Sequence, residues 1–271
     1  MKPKPHPEVV NPQPRALIVG WGHVGQQVGR YFTEAHCVDL DAVIRFQTGI
    51  AVQHIPACYD IGFLCVPTPP LGDGGCDLSF LQTAWQRWES KAKVWCIKST
   101  IPVGTVAENG WLEARACFSP EFYGETLGHP LAGVCVDPFI ILGGSPGITR
   151  IFAEAWSLVT NANARLFQTD ATTAELVKLM ENSWLATKVS FCNQFYDLAK
   201  LAGVDWNELR ELWLLDPRVG RSHTYVYPEN RGFGGKCLPK DVANLCHWAR
   251  QHGEPASFME FILDYNSKVR K

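Results

Sequence analysis

Cys237 stands between the glycine pair Gly234–Gly235 and Leu238–Pro239, a placement that suits a nucleophilic thiol. Proline is favoured in the first turn of a helix, where its missing N–H would have no intrahelical partner, so a helix is expected to open at Pro239. A thiol just ahead of that helix lies at the positive end of its dipole, and Lys236 and Lys240 add cationic charge that favours the thiolate. Asp241 follows four residues later, on the same helical face, where it can position water or take a proton. Cysteine is more often a small buried hydrophobe, and ten occur here, but the flanking glycines, lysines and helix start single this one out. Lys178 and Asn182 form a second i, i+4 pair, inside a stretch, Thr172–Leu201, with neither proline nor glycine. A lysine on a helix of that kind needs a partner or a task, or else snorkels to the surface.

A third constellation lies near the N-terminus. The apolar run Ala16–Gly20 reads as a buried parallel strand and leads into GWGHVG, where Gly20, Gly22 and Gly25 match the dinucleotide fingerprint G-x-G-x-x-G. Such glycines permit a tight turn, approach of a pyrophosphate to the backbone, and close helix–strand packing. The segment Cys37–Asp41 ends a second apolar run with acids, of which Asp39 is the first candidate for a ribose hydroxyl and Asp41 the reserve. An acid there favours NAD over NADP, whose phosphate it would repel.

The elements that must position these groups follow an α/β plan. Strands are expected at Ile61–Val66, Val94–Lys98, Ala116–Phe118 and Phe139–Leu142, and a helix capped by Asp77 at Leu78–Glu89. Each strand ends in a small or polar cluster, as in a doubly wound sheet whose functional groups gather at its carboxyl edge. Thereafter the pattern turns helical: Thr172–Leu201 as one long, largely buried helix ended by Gly203, then Asp205–Leu215, Pro239–Arg250 and Ser257–Lys268. The expected fold class is therefore α/β, a Rossmann-like doubly wound sheet over 16–168 followed by an all-helical domain over 169–271. Residues 1–15, with five prolines, read as a mobile leader. At 271 residues and 46% hydrophobic, the chain can bury a sizeable core, and its net charge of −2 gives no electrostatic case for nucleic acid or membrane. Ten cysteines without a CxxC pair suit reduced thiols and a cytoplasmic enzyme, and no metal site is expected.

In order, GWGHVG, VDLD, VPTP (Val66–Pro69), STIPVGT (Ser99–Thr105), SPEF (Ser119–Phe122), AELVKLMENSWLATKVSF (Ala174–Phe191), DPRVG (Asp216–Gly220) and GFGGKCLPKD (Gly232–Asp241) resemble the UDP-glucose/GDP-mannose dehydrogenase family. The resemblance covers nearly everything after the leader. It implies a four-electron oxidation of a nucleotide sugar's primary alcohol to a carboxylate, with two NAD used at one site and a cysteine thiohemiacetal and thioester on the way. By motif position Cys237 would be the nucleophile, Lys178 and Asn182 would contact the reacting oxygen, and Asp241, Thr100 and Glu121 would organise water and protons. Cofactor contacts would come from Gly20, Gly22, His23, Val24, Gly25, Asp39, Val66, Thr68, Thr100, Glu125 and Lys240. Substrate contacts would come from Glu121, Phe122, Lys178, Asn182, Phe233 and Gly234, and from Arg218, which in the family reaches across a dimer interface.

Three departures from the family pattern bear on these expectations. The interval from Gly20 to Asp39 is about one helical turn short, Lys236 replaces a small residue, and nothing after FILDYNSKVRK corresponds to the family's third, nucleotide-gripping domain. A homodimer is expected, with Trp184, Phe191 and Phe195 in the core or at the interface, and a separate partner could supply the nucleotide-binding domain. Two other classes share this plan: a two-electron NAD-dependent alcohol or hydroxyacid dehydrogenase with Cys237 idle, and a non-catalytic nucleotide-binding module.

Overall fold

The computed structural model describes residues 13–32, 34–39, 42–45, 57–122 and 139–270, which group into two compact units. The first is built from the described residues up to Pro67, with Ser79–Ser99 and Gly104–Ala174; the second from Thr68–Leu78, Thr100–Val103 and the chain from Glu175 onward.

The first unit is a sheet of β1 (Ala16–Val19), β2 (His36–Asp39), β3 (Ala42–Arg45), β4 (Tyr59–Leu64), β5 (Ala92–Ile97), β6 (Ala116–Phe118), β7 (Phe139–Gly143) and β8 (Arg165–Thr169). They lie in the order β3-β2-β1-β4-β5-β6-β7-β8, parallel except for the β2–β3 and β6–β7 pairs. Around it come α1 (His23–Gly29), α2 (Ser79–Trp88), α3 (Thr105–Glu108), α4 (Gly110–Glu113) and α5 (Pro146–Val159). This is the expected Rossmann-type α/β arrangement, with three elements besides the short helices α3 and α4 that the sequence pattern does not announce. They are β3, which returns as a hairpin against β2, then α5, and the edge strand β8 with its mixed polar exposure.

Each inner strand is apolar on both faces because helices cover the sheet, which is why its strands read as unbroken hydrophobic runs. Trp156 on α5 is fully buried and meets Tyr31, Phe32 and Phe63 edge-on, at centroid distances of 5.0, 5.3 and 6.0 Å. That aromatic packing locks α5 onto the sheet.

In the second unit, α6 (Ala171–Ala202) carries the chain out of the first unit and runs for 32 residues, about 48 Å at 1.5 Å per residue. Then come α7 (Trp206–Trp213), whose cap Asp205 accepts from Glu208 N–H, α8 (Leu238–Gln251) and α9 (Ser257–Val269). Within the described chain α6 is not sheathed in apolar contacts as its composition suggested. Glu175, Lys178, Asn182, Ser183 and Asn193 are buried, while Met180, Trp184, Phe191, Phe195 and Leu198 stand exposed. The inward face is mixed: Leu179, Ala186, Cys192, Tyr196 and Ala199 are buried beside these polar groups, which serve other residues of the same unit.

Candidate active site

Cys237 is the residue at the start of α8, half-buried, with Leu238–Pro239 forming the first turn. Its carbonyl accepts from Asp241 N–H at 2.9 Å, so the two side chains are set one turn apart. Asp241 is wholly buried, and each of its carboxylate oxygens is taken: Asn182 Nδ2 donates to Oδ2 at 2.5 Å, and Lys240 Nζ pairs with Oδ1 at 2.6 Å. A buried carboxylate needs such partners, since an uncompensated charge would cost several kcal/mol or more. Lys178 lies one turn before Asn182 on the buried face of α6, at 5% exposure. The two i, i+4 pairs read from the sequence thus belong to one cluster, joined by the Asn182–Asp241 bond.

Thr100 enters the same unit on the short segment Thr100–Val103, where its carbonyl accepts from Thr68 Oγ1 at 2.7 Å. Cys76, not anticipated, donates weakly from Sγ to the carbonyls of Thr68 and Thr100, at 3.8 and 3.9 Å. Burial pushes its thiol pKa up, with Lys240 opposing and Asp241 reinforcing the shift. Phe233 is buried and Gly234 half-buried in the loop before Cys237. Arg218 is 89% exposed and forks onto Asp216, holding that carboxyl below the usual carboxylate range. Lys188, also unanticipated, fixes the Arg218 turn by donating to the carbonyls of Val219 and Gly220 at 3.3 and 3.0 Å.

In the first unit the glycine fingerprint opens α1 after β1. Gly20 has φ +97°, a left-handed conformation that a side chain would strain, and a side chain at Gly25 would run into the Gly20 carbonyl. At Gly22 there is open space instead, at the helix start where His23 and Val24 begin α1. The short interval to Asp39 leaves α1 only seven residues, and Asp39 ends β2 exposed. The strand-ending clusters also stand as separate features: Val66 just beyond β4, its carbonyl accepting from Ser99 Oγ at 2.6 Å, and Glu121 and Phe122 beyond β6. Phe122 packs on Phe139, and buried Lys98 holds the chain just before Glu121 through Ser119 Oγ and the Pro120 carbonyl, at 3.2 and 3.3 Å. A charged residue after a strand, ahead of a serine, is the only signal that marked Lys98. Glu125 and Asp41 lie outside the described residues.

A tight left-handed turn, one glycine closed off by backbone, one open to approach and an exposed acid at the next strand end fit a dinucleotide whose ribose carries free hydroxyls. Among the described residues, no group of three or more His, Cys, Asp or Glu could hold a metal ion, and no helix is long and apolar enough to cross a membrane.

Comparison with known proteins places these features. Residues 40–125 match the NAD binding domain of the UDP-glucose/GDP-mannose dehydrogenase family, and residues 172–268 its central domain. NAD is accordingly the cofactor of the N-terminal unit. The chain is 29% identical over 235 residues to UDP-glucose 6-dehydrogenase of Rhizobium meliloti (strain 1021), covering 79% of this chain and 52% of that protein. A solved UDP-glucose dehydrogenase from the archaeon Pyrobaculum islandicum matches with a TM-score of 0.75 at 23% identity, over 95% of this chain and 68% of that one. Mycobacterium tuberculosis 3-hydroxyisobutyrate dehydrogenase matches with a TM-score of 0.68 at 15% identity, over 95% of this chain and 94% of that one. These two likenesses describe the fold. The chain spans about half to two thirds of the length of the curated relatives it matches. Because two domain models of one family match in order, and the matched residues include Thr100, Glu121, Lys178, Asn182, Cys237 and Asp241, the chain belongs to the UDP-glucose/GDP-mannose dehydrogenase family.

Proposed function

We propose that this protein oxidises the primary alcohol of a nucleotide sugar, UDP-glucose or a close analogue, to the carboxylate through a covalent intermediate on Cys237. The observation that carries the reading is the cluster at the start of α8: a half-buried thiol, and one turn on a fully buried carboxylate bonded to Asn182 and Lys240. NAD, when bound at the Gly20–Gly25 turn, accepts one hydride in each of two oxidations, so one alcohol and one water give one carboxylate, two NADH and three protons.

The protein's own groups do the rest. Lys178 and Asn182, held side by side on the buried face of α6, donate to the substrate oxygen and stabilise the negative charge that develops on it. At the aldehyde stage the Cys237 thiolate bonds to the carbonyl carbon, the C=O π pair moves to oxygen, and the intermediate stays tethered. After the second oxidation the carbon is a thioester. Water then adds to it, the C–S bond breaks, and the sulfur leaves as thiolate with the carboxylate released. Asp241, with Thr100 and Glu121, orders that water and takes its proton. Gly20, Gly22, Gly25 and Asp39 hold the cofactor, and a second copy of the chain docks on the exposed face of α6.

A two-electron alcohol oxidation, with Cys237 idle, is the alternative. The two part on stoichiometry. With NAD and a panel of nucleotide sugars, the four-electron reading expects two NADH per carboxylate, and a Cys237→Ser variant that stalls at the aldehyde. One NADH per product with an unaffected Cys237→Ser variant would establish the alternative.

A further inference from the structure

The last helix plays no part in the chemistry just described, yet its final turns grip the loop that bears the nucleophile. Asn266 on α9 is buried at 8% exposure, and its amide closes on both polar groups of a single residue. Its Oδ1 accepts from Phe233 N–H at 2.7 Å, and its Nδ2 donates to the Phe233 carbonyl at 3.0 Å. A neighbouring β-strand would bind Phe233 in the same way, so the loop gains a strand's constraint from one side chain. Just beyond α9, the Arg270 guanidinium lies against Gly234 and donates from Nη1 to the Arg231 carbonyl at 3.4 Å.

The opposite side of the loop is held from α6. Asn193 Oδ1 accepts from Gly232 N–H at 3.2 Å and from Arg231 Nε at 2.6 Å, and Arg231 pairs with Asp197 at 2.9 Å. Side chains from two helices therefore hold four consecutive residues, Arg231–Gly234, only three positions before Cys237.

A side chain at Gly232, whose φ of +71° by itself favours glycine, would strike Asn266 Oδ1, and one at Gly234 would strike Arg270. Gly235 has φ +75° and nothing within 4 Å of where a Cβ would stand, so it alone of the three faces open space and turns the chain toward α8.

We propose that Asn266 is a positioning residue for Cys237: its clasp on Phe233 fixes the loop from which the thiol is presented at the start of α8. The catalytic consequence rests on the function proposed above, but the clasp itself can be read without a substrate. Asn266→Ala removes both bonds; Asn266→Asp keeps an acceptor for Phe233 N–H and loses the donor. Val226→Ala, in the separate core formed with Cys192, Tyr196 and Trp206, is the control for general loss of stability.

In the full chain, deuterium exchange of the peptide spanning Phe233–Gly234 should quicken at least tenfold in Asn266→Ala and less than twofold in Val226→Ala. Alkylation of Cys237 by iodoacetamide at pH 7 should slow at least fivefold in Asn266→Ala while that of Cys58 holds, with Asn266→Asp between. On an oxidised substrate, kcat should fall at least tenfold, with KM for NAD unchanged. Unaltered exchange, unaltered or faster alkylation of Cys237, or equal losses in Val226→Ala of matched melting temperature would each overturn the proposal. If the unaltered chain oxidises none of the sugars, the proposed function has failed, and the exchange and alkylation rates still decide the clasp.

Discussion

Asp241 has no exposed surface, and its two carboxylate oxygens are bonded to Asn182 and Lys240. Removing one partner leaves the other side of the bond buried and unpaired, which costs more than the bond was worth. Asn182→Ala should therefore destabilise the helical unit by about 1–3 kcal/mol, seen as a lower urea midpoint with an unchanged slope. The spacing of Lys178 with Asn182 and of Cys237 with Asp241 was legible because helical periodicity is local. That the two pairs meet was not, since the joining bond spans 59 residues. Lys240 adds a contact that motif position did not give: besides the cofactor role expected of it, it pairs with Asp241. The thiols can be sorted by the same local physics. Burial pushes Cys37 up to about 12 and Cys192 up to about 11, so at pH 8.5 both remain protonated and unreactive. Cys237, half-buried at a helix start, should be alkylated before either at that pH, and peptide mass spectrometry of a time course would show the order. Early labelling of Cys37 or Cys192 would mean that the units open far more readily than their packing suggests.

At the scale of elements, strands were legible where both faces are covered, because such strands are unbroken apolar runs. The edge strand β8 escaped notice because its burial is partial and mixed, and β3 because a hairpin return breaks the expected parallel pattern. Gly62, inside β4, shows what a sequence cannot disclose. The ring of Trp95 on β5 lies where its side chain would stand, and Trp95 is fully buried, so the ring has nowhere to go. Gly62→Ala should cost about 1–3 kcal/mol by overpacking, measurable as a lower thermal midpoint of the first unit, with the dinucleotide turn itself untouched. A neutral Gly62→Ala would mean that Trp95 can move within the core. The long helix was legible in extent, from the absence of proline and glycine, but not in orientation. Its inward face carries polar groups among apolar ones because it has Asp241 and the Arg218 turn to hold. Lys188 makes the case: its ammonium, its pKa lowered mainly by burial, is spent on the Val219 and Gly220 carbonyls.

At the scale of the whole molecule, the outward face of that helix is the feature left to explain. Trp184, Phe191 and Phe195 are 58, 47 and 40% exposed, with Met180 and Leu201 farther along at 69 and 84%. An apolar stripe of this length fits the docking face proposed above. A second copy is the economical occupant, since a two-fold axis sets the same stripe against itself. Trp184→Glu combined with Phe191→Glu should then yield monomers by light scattering, and a monomeric unaltered chain at micromolar concentration would refute the pairing. Such a pairing would give Arg218 a purpose that its own chain does not show, because within the chain it forks onto Asp216 and is otherwise 89% exposed. If Arg218 serves the site of the other copy, a mixture of Cys237→Ser and Arg218→Ala chains contains hybrids with one complete site: thiol from one subunit, arginine from the other. Each variant alone should be nearly inactive, while chains unfolded and refolded together should recover about a quarter of the unaltered activity, since half the dimers are hybrids with one working site in two. No recovery on mixing would confine Arg218 to its own subunit and leave the Asp216 fork as its whole function.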